Sequence, residues 1–448
     1  MDFVNMTIEE LLQEEGHVCS CGKTHKVPLK ELVIETGALQ KVPRLVQKYD
    51  GTKPFLIADK NTWAAAGEKV AALLTQENIP YGRYIYPDAH VGVDATPVGE
   101  AVMHFDHTCD MILGIGSGTI NDISKIMAHV TGKPYIVVAT APSMDGFSSS
   151  TSSMAVDGVK VSLPSTCPVA IVGDIDVLKN APMRMLQAGL GDILAKYVSI
   201  CEWRMAEIIV GEYYCPAIAE LVRESVRRCA ASAEGLLNRE PEAVYHVMFA
   251  LVLSGIAMSF ADVTRPASGM EHYFSHVWDM RALAFGTPED LHGIQVSIGT
   301  VLSLKMYDAL KKVTPEKEKA LAYAAAFDKR AWEEQLGAFL GDAAPGLIAL
   351  EEVEGKFDAT KHKMRLETIL IHWEELQRIM HEELPAGNTI EEMLKKIGAP
   401  ASPVEIGIDG ATTRQTFLAT KDIRDKYIGT KLLWDLGLLD EFAEELFS

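Results

Sequence analysis

The sequence predicts an α/β N-terminal half built on a parallel sheet, followed by an all-helical half. Three observations carry this. Short apolar strands alternate with helical segments up to about residue 178. Beyond that point apolar residues recur every three to four positions, without strand-like runs. The chain has 448 residues, too many for one ordinary core, so two domains, 1–178 and 179–448, are expected.

The elements follow in order. LVIE (32–35) reads as a strand and LQKVPRLVQKY as a helix. KPFLIADK (53–60) is a strand, TWAAAGEKVAALLTQEN a helix, and YGRYIY (81–86) a third strand. AVMHFDHTCDMILGIG runs from a helix end into a buried strand, TINDISKIMAHVTG is a helix, and KPYIVVAT (133–140) is a strand. GVKVSLP and PVAIVGD (168–174) are expected as further strands at the edge of the sheet. From APMRMLQAGLGDILAKYVSICEWRMAEIIVG onward long helices are predicted, with GKFDATKHKMRLETILIHWEELQRIMHEEL helical throughout. Ligands of such sheets lie outside the carboxyl ends of the strands, so a cleft between the halves is the expected site.

Bulk properties narrow the function. Hydrophobic residues make up 48% and charged residues 23%, an ordinary globular composition. The net charge of −20, with no basic block, argues against nucleic acid and anionic membranes as partners. An anionic ligand must then be held by backbone N–H groups, a metal or a few Lys and Arg. The sequence shows no apolar run of eighteen residues and the start, MDFVNMTIEELLQEEG, lacks a signal-peptide pattern, so a cytoplasmic enzyme without membrane insertion is expected. The seven cysteines are expected to be reduced, and Cys109, Cys167, Cys201, Cys215 and Cys229 read as small apolar residues. HVCSCGKTH gathers Cys19, Cys21, His17 and His25, but its spacing matches no common zinc module. It reads as a tight N-terminal turn with reduced thiols.

Chemistry concentrates in four places. In DMILGIGSGTINDISK (110–125) a strand, a glycine turn and a helix succeed one another. Gly114, Gly116 and Gly118 allow positive φ and let backbone N–H groups approach an anion, while Thr119 adds a hydroxyl. The spacing is G-x-G-x-G, not the G-x-G-x-x-G fingerprint, and such turns also occur without a ligand. TAPSMDGFSSSTSSM (140–154) follows the next strand; its hydroxyls suit a nicotinamide or ribose, and Asp145 is its candidate for meeting a substrate hydroxyl. Asp59 closes the strand KPFLIADK, where a carboxylate binds a ribose hydroxyl or caps the next helix. Finally, His272 and His276 share one helix face, His292 follows before Gly293, and Asp192 in GLGDILAK offers a carboxylate expected to open a helix. Two imidazoles and a carboxylate form a metal site with open positions; the alternative is a structural histidine pair and an N-cap.

GIGSGTINDISK, TAPSMDGFSSS, GLGDILAK, SGMEHYFSH and LHGIQVSIGT, in that order, closely resemble the sn-glycerol-1-phosphate dehydrogenases. These belong to the superfamily of iron-type alcohol dehydrogenases, glycerol dehydrogenases and 3-dehydroquinate synthases. The N-terminal CSCGKTH segment looks like the bacterial, arabinose-operon branch. The resemblance spans roughly residues 30 to 300 by motif. It implies a Rossmann-like α/β domain followed by an all-α, dehydroquinate synthase-like domain.

The resemblance also implies roles. Asp192, His272 and His292 would hold one divalent metal, zinc or nickel, with iron also accepted. Gly116, Ser117, Gly118, Thr119 and Ile120, with Thr140, Ala141, Pro142, Ser143 and Ser149, would bind NAD(H) or NADP(H), alongside Asp59. Asp145, Asp192 and His276 would contact the substrate, with Asp145 and His276 catalytic. Archaeal members commonly carry His where this chain has Met144. The implied reaction interconverts dihydroxyacetone phosphate and sn-glycerol 1-phosphate, by a homodimer serving phospholipid synthesis. Lys125, Lys196 and Arg265 are candidates for the substrate phosphate. The rival readings are a glycerol dehydrogenase acting on an unphosphorylated polyol and a nucleotide-binding metabolite sensor. Dehydroquinate synthase is disfavoured, because no cluster of basic residues awaits a carboxylate substrate.

Overall fold

A computed structural model describes residues 1–88, 91–156 and 159–447. Two compact units emerge, and both are discontinuous in sequence: residues 1–193 with 216–264, and 194–215 with 265–448. This division differs from one drawn at 178, because compactness follows packing and not the change in secondary structure.

The first unit begins with a small antiparallel hairpin, β1 (His17–Val18) and β2 (Thr24–His25). A six-stranded parallel sheet follows: β3 (Glu31–Glu35), β4 (Pro54–Asp59), β5 (Gly82–Tyr86), β6 (Met111–Gly116), β7 (Tyr135–Ala139) and β10 (Ala170–Asp174). Their spatial order is β3-β10-β7-β6-β4-β5, with every neighbouring pair parallel. β6, β7 and β10 are buried along their whole length, as apolar runs covered on both faces should be. Helices α1 (Val42–Lys48), α2 (Glu68–Gln76), α3 (Ala95–Met103) and α4 (Gly118–Thr131) connect the strands. One core packs Leu45, Val46, Val70 and Leu74 from the helices against Leu56, Leu113, Val138 and Val172 from the sheet.

Two strand expectations need correcting. PVAIVGD yields an interior strand, because β10 inserts between β7 and the earlier β3, with Ala170 opposite Glu31. GVKVSLP does not join the sheet. Its residues from Val159 form β9 (Val159–Pro164), which pairs antiparallel with β8 (Thr151–Val156) in a separate hairpin; Gly158 lies outside the described residues.

The sheet turns at β4. The chain steps outward from β4 to β5, then returns to lay β6 on the other side of β4. The carboxyl ends of β4 and β6 are therefore a topological switch point, where open parallel sheets leave a crevice. Asp59 ends one of these strands and Gly116 the other.

Helix α5 (Met183–Leu194) leads out of the first unit and α6 (Lys196–Val210) belongs to the second. α7 (Pro216–Ser232) and α8 (Pro241–Ala261) return to the first. α8 corrects another expectation: its 21 residues, with an 18-residue stretch of mean hydropathy 1.8, are long and apolar enough to cross a membrane. However, 72% of the apolar window is buried inside the protein, as in a core helix. The second unit is helical, opening after residue 264 with α9 (Met270–Phe285) and α10 (His292–Leu310). The segment expected to be helical throughout breaks at His372 into Ala359–Ile371 and Trp373–Glu383.

Candidate functional site

In the first unit, β6 runs into α4 through Ser117. The Ser117 hydroxyl does not cap the helix; it donates to Ala141 O at 3.2 Å and pairs with Ser143 Oγ. The first helical bond runs from Asn121 N–H to Ser117 O, so the N–H groups of Gly118, Thr119 and Ile120 remain at the head of a 14-residue helix. That is an anion site by geometry and by dipole. The glycines act differently from expectation. None of Gly114, Gly116 and Gly118 has positive φ. Close packing explains two of them: a Cβ on Gly116 would lie 2.5 Å from Ile120 Cβ, and one on Gly114 2.5 Å from Ser124 Oγ.

The loop after β7 is packed rather than loose. Thr140, Ala141, Ser143, Phe147, Ser148 and Ser149 are all buried. Thr140 N–H donates to Gly116 O at 3.1 Å, tying this loop to the glycine turn. Pro142 meets α5 at Gly189, where a Cβ would come within 1.9 Å of Pro142 O. Met144 lies over Gly118, and its thioether accepts Gly146 N–H at 2.9 Å. Lys125 stands beneath the loop, donating to Gly146 O, to Ser149 Oγ at 2.9 Å and to Thr151 O at 3.0 Å. Burial holds its pKa below the usual lysine range.

Two sequence-predicted acids meet here. Asp192 is fully buried, and its Oδ2 accepts the backbone N–H of Asp145 at 2.9 Å. Asp145 in turn accepts from Ser254 Oγ at 2.8 Å. Asp192 occupies the last turn of α5, not the opening of a helix as expected, so the N-cap alternative is overturned too. Asp59 caps the helical turn that follows it, accepting from Asn61 N and Thr62 N through Oδ1.

The histidines gather in the second unit. His272 and His276 lie on α9, and His292 is the first residue of α10, reached after Gly286 ends α9 with φ +63°. The rings of His272 and His292 are 5.3 Å apart, those of His276 and His292 6.1 Å. Ligand nitrogens of His272 and His292 lie within 4.8 Å of each other. Each of these two rings is anchored through Nδ1: His272 to Glu271 Oε1 at 2.8 Å, and His292 to Ser275 Oγ at 3.0 Å. A polar partner on Nδ1 is the support that metal-bound imidazoles commonly have. The two helices cross closely because Gly299 lacks a side chain; a Cβ there would sit 2.3 Å from Glu271 O.

Sequence reading missed the supporting residues. Glu271 stands directly before His272, a visible but ambiguous signal. Its Oε1 also accepts Gly269 N–H at 2.6 Å. Glu202 lies deeper, accepting from Tyr307 OH, Gly429 N and Met270 N at 2.8, 2.8 and 2.9 Å. Burial and the neighbouring Glu271 push its pKa up to about 7. Ser254 was missed as well; its one signal in the sequence is a polar residue within the apolar run ALVLSGIAMSF. Of the basic candidates, Arg265 is committed to Glu212 and to Tyr427 O, at 2.8 Å for the latter, and is 1% exposed. With Lys125 also engaged inside its own unit, neither fits a phosphate-binding role.

Residues 33–182 match the model of the iron-containing alcohol dehydrogenase family. The chain is 33% identical over 301 residues to a glycerol-1-phosphate dehydrogenase (NAD(P)+) of Halalkalibacterium halodurans, covering 66% of this chain and 75% of that one. It is 29% identical over 425 residues to the enzyme of the same name from Bacillus licheniformis, covering 94% and 93%. Among solved structures, glycerol dehydrogenase from Schizosaccharomyces pombe shares the fold, with TM-score 0.59 and 17% identity over 93% of this chain and 90% of that one. An iron-containing alcohol dehydrogenase from Corynebacterium glutamicum does likewise, with TM-score 0.61 and 13% identity over 95% and 96%.

Proposed function

Because this chain belongs to the glycerol-1-phosphate dehydrogenases, we propose a division of labour among its residues for that reaction. The protein is an NAD(P)-dependent oxidoreductase that interconverts dihydroxyacetone phosphate and sn-glycerol 1-phosphate. The observation that carries the residue assignment is the pair of imidazoles, His272 and His292, each held through Nδ1, with ligand nitrogens within 4.8 Å of each other.

Asp192, His272 and His292 would hold one divalent cation, zinc or nickel. The donor set fits: a buried carboxylate and two imidazoles oriented through Nδ1 suit a first-row cation and leave positions for substrate. A cation held there would supply Lewis acidity for the substrate's secondary oxygen, and a bound NAD(P) would supply the hydride chemistry at the carbon bearing it. His276, one helical turn from His272, holds and passes the proton of that oxygen. Asp145, fixed by Ser254, accepts a neighbouring substrate hydroxyl. The N–H groups of Gly118, Thr119 and Ile120 receive the pyrophosphate, and Ser117, Thr140, Ala141, Pro142, Ser143 and Ser149 shape the wall beside it. Asp59 takes a ribose hydroxyl on the carboxylate oxygen opposite its capping one. Gly116 permits the close turn, and the switch-point geometry supports this placement.

Purified protein loaded with zinc or nickel should oxidise NADH with dihydroxyacetone phosphate. In the reverse direction it should prefer sn-glycerol 1-phosphate to glycerol. Turnover with glycerol alone would transfer the assignment to a glycerol dehydrogenase. Cofactor binding with no turnover on either would favour a sensor.

A further inference from the structure

The hairpin β1–β2 is too short to hold itself together. Each strand has two residues, paired His17 to His25 and Val18 to Thr24, and isolated hairpins of that size are not stable in water. Yet its turn is well defined. Cys19 N–H donates to Lys23 O and Gly22 N–H to Cys19 O, both at 3.0 Å, and Gly22 adopts φ +90°. This turn carries Cys19 and Cys21 toward His25, so that one ligand atom from each lies within 4.8 Å of the others. None of the seven cysteines is in a disulfide among the described residues.

His25 is the informative member. It is 0% exposed, and its Nδ1 sits 2.7 Å from Phe260 O in α8. Only a protonated Nδ1 can donate to a carbonyl, which fixes the tautomer and leaves Nε2 as a lone-pair donor. That Nε2 is 3.3 Å from Cys21 Sγ. Tetrahedral zinc, with bonds of about 2.3 Å to sulfur and about 2.0 Å to nitrogen, sets these two ligands about 3.5 Å apart. Phe3 and Phe260 pack on the His25 ring at centroid distances of 5.6 and 5.8 Å and exclude water from it. His17 is not part of the set: its Nε2 lies 3.3 Å from Leu11 O.

We propose that Cys19, Cys21, His25 and Cys215 bind a structural zinc ion, distinct from the cation assigned to Asp192, His272 and His292. Cys215 is the fourth donor; it is fully buried and joined by a peptide bond to Pro216 at the head of α7. Helix α7 packs against the 3₁₀ turn Phe3–Asn5, whose Phe3 lies on His25. Binding ionises three thiols and releases three protons, giving a closed three-thiolate, one-imidazole shell with a net charge of −1. A closed shell has no position for substrate, so this ion staples the hairpin to the head of α7 and takes no part in hydride transfer.

The test uses full-length protein and does not depend on the proposed reaction. Wild type and His272→Ala are expected to retain one zinc per chain after dialysis against chelator, released as a mercurial titrates the thiols. Cobalt-substituted His272→Ala should show a thiolate-to-cobalt charge-transfer band. Cys21→Ala and Cys215→Ala should lose both the thiol-releasable zinc and the band, and melt at lower temperature. Cys21→Ala should keep its turnover per folded molecule at temperatures below melting. The proposal is overturned if His272→Ala carries no thiol-releasable zinc or no such band. Unchanged zinc content in Cys21→Ala would overturn it too. If the cysteine variants fail to fold, the two measurements on His272→Ala still decide.

Discussion

The histidine pair and the N-terminal thiol corner are built on opposite plans. His272 and His292 sit on helices of 16 and 19 residues that cross tightly at Gly299. Their positions would be much the same without any cation, because packing fixes them. Cys19, Cys21 and His25 sit on a hairpin whose strands have two residues each. There the backbone is too short to fix the ligands, and an ion would fix the backbone. The lesson concerns what each ion is for. A preformed frame can leave coordination positions open for chemistry, whereas a frame that needs its ion must surround it.

The sharpest way to break this contrast is to remove one ligand from the preformed frame. His272→Ala should lower kcat/KM for dihydroxyacetone phosphate by about a thousandfold or more, since Lewis-acid assistance contributes several kcal/mol. Its melting temperature should change little. Steady-state kinetics and calorimetry on one preparation test both halves; a loss of fold in step with activity would refute the preformed frame. Glu271→Ala probes the anchor behind the ligand. Removing the acceptor of His272 Nδ1 should weaken cation affinity roughly 10- to 100-fold, measured by competition with a chelating dye.

Much of this arrangement was legible in the sequence, and the reasons differ between elements. The strands of the sheet announced themselves because β6, β7 and β10 are buried on both faces and so carry unbroken apolar runs. Their order did not: nothing local in AIVGD says that β3 will cover its outer edge. His272 and His276 were readable from helical spacing, which brings i and i+4 together whatever lies around them, whereas His292 opens the next helix and was picked out by residue type and the resemblance. Asp192 was singled out, but its place at a helix end was inverted, because Gly before Asp resembles an N-cap signal. The glycine turn was found for a partly wrong reason. Gly114 and Gly116 are there to admit Ser124 and Ile120, a tertiary demand that composition cannot express. The thiol corner was visible as a cluster but matched no known spacing. Its fourth donor stands some 190 positions away in sequence, and the His25–Phe260 bond that fixes the imidazole is equally non-local.

A gentler perturbation tests whether packing alone sets the histidine frame. Gly299→Ala places a methyl group 2.3 Å from Glu271 O, a backbone atom that cannot rotate away. The helices must separate, at a cost of roughly 3 kcal/mol. Melting temperature should fall and cation affinity should fall with it, because His272 and His292 move apart. A variant that lost stability while keeping full affinity would show that the ion, not the crossing, positions the ligands. The thiol corner should be unaffected in the same protein, its zinc content unchanged.

The smallest expected effect lies beneath the frame, at Glu202. Its pKa is pushed up to about 7 from 4.5 by burial and by Glu271. The folded state therefore holds this proton more tightly than the unfolded chain does. The resulting stabilisation is fully present below pH 4.5 and is lost as pH rises through about 7. Lys426 and Lys431, both lowered to about 7 by burial, act with the opposite sign and only at higher pH. Between pH 5 and pH 7, metal-free protein should accordingly lose stability on the order of 1 kcal/mol. Glu202→Gln should melt lower at every pH, since its amide nitrogen must face a backbone N–H of Met270 or Gly429. It should also show a flatter profile across that interval. An equal slope in both proteins would mean that the buried carboxylate keeps its charge, and that the three donors around it outweigh its burial.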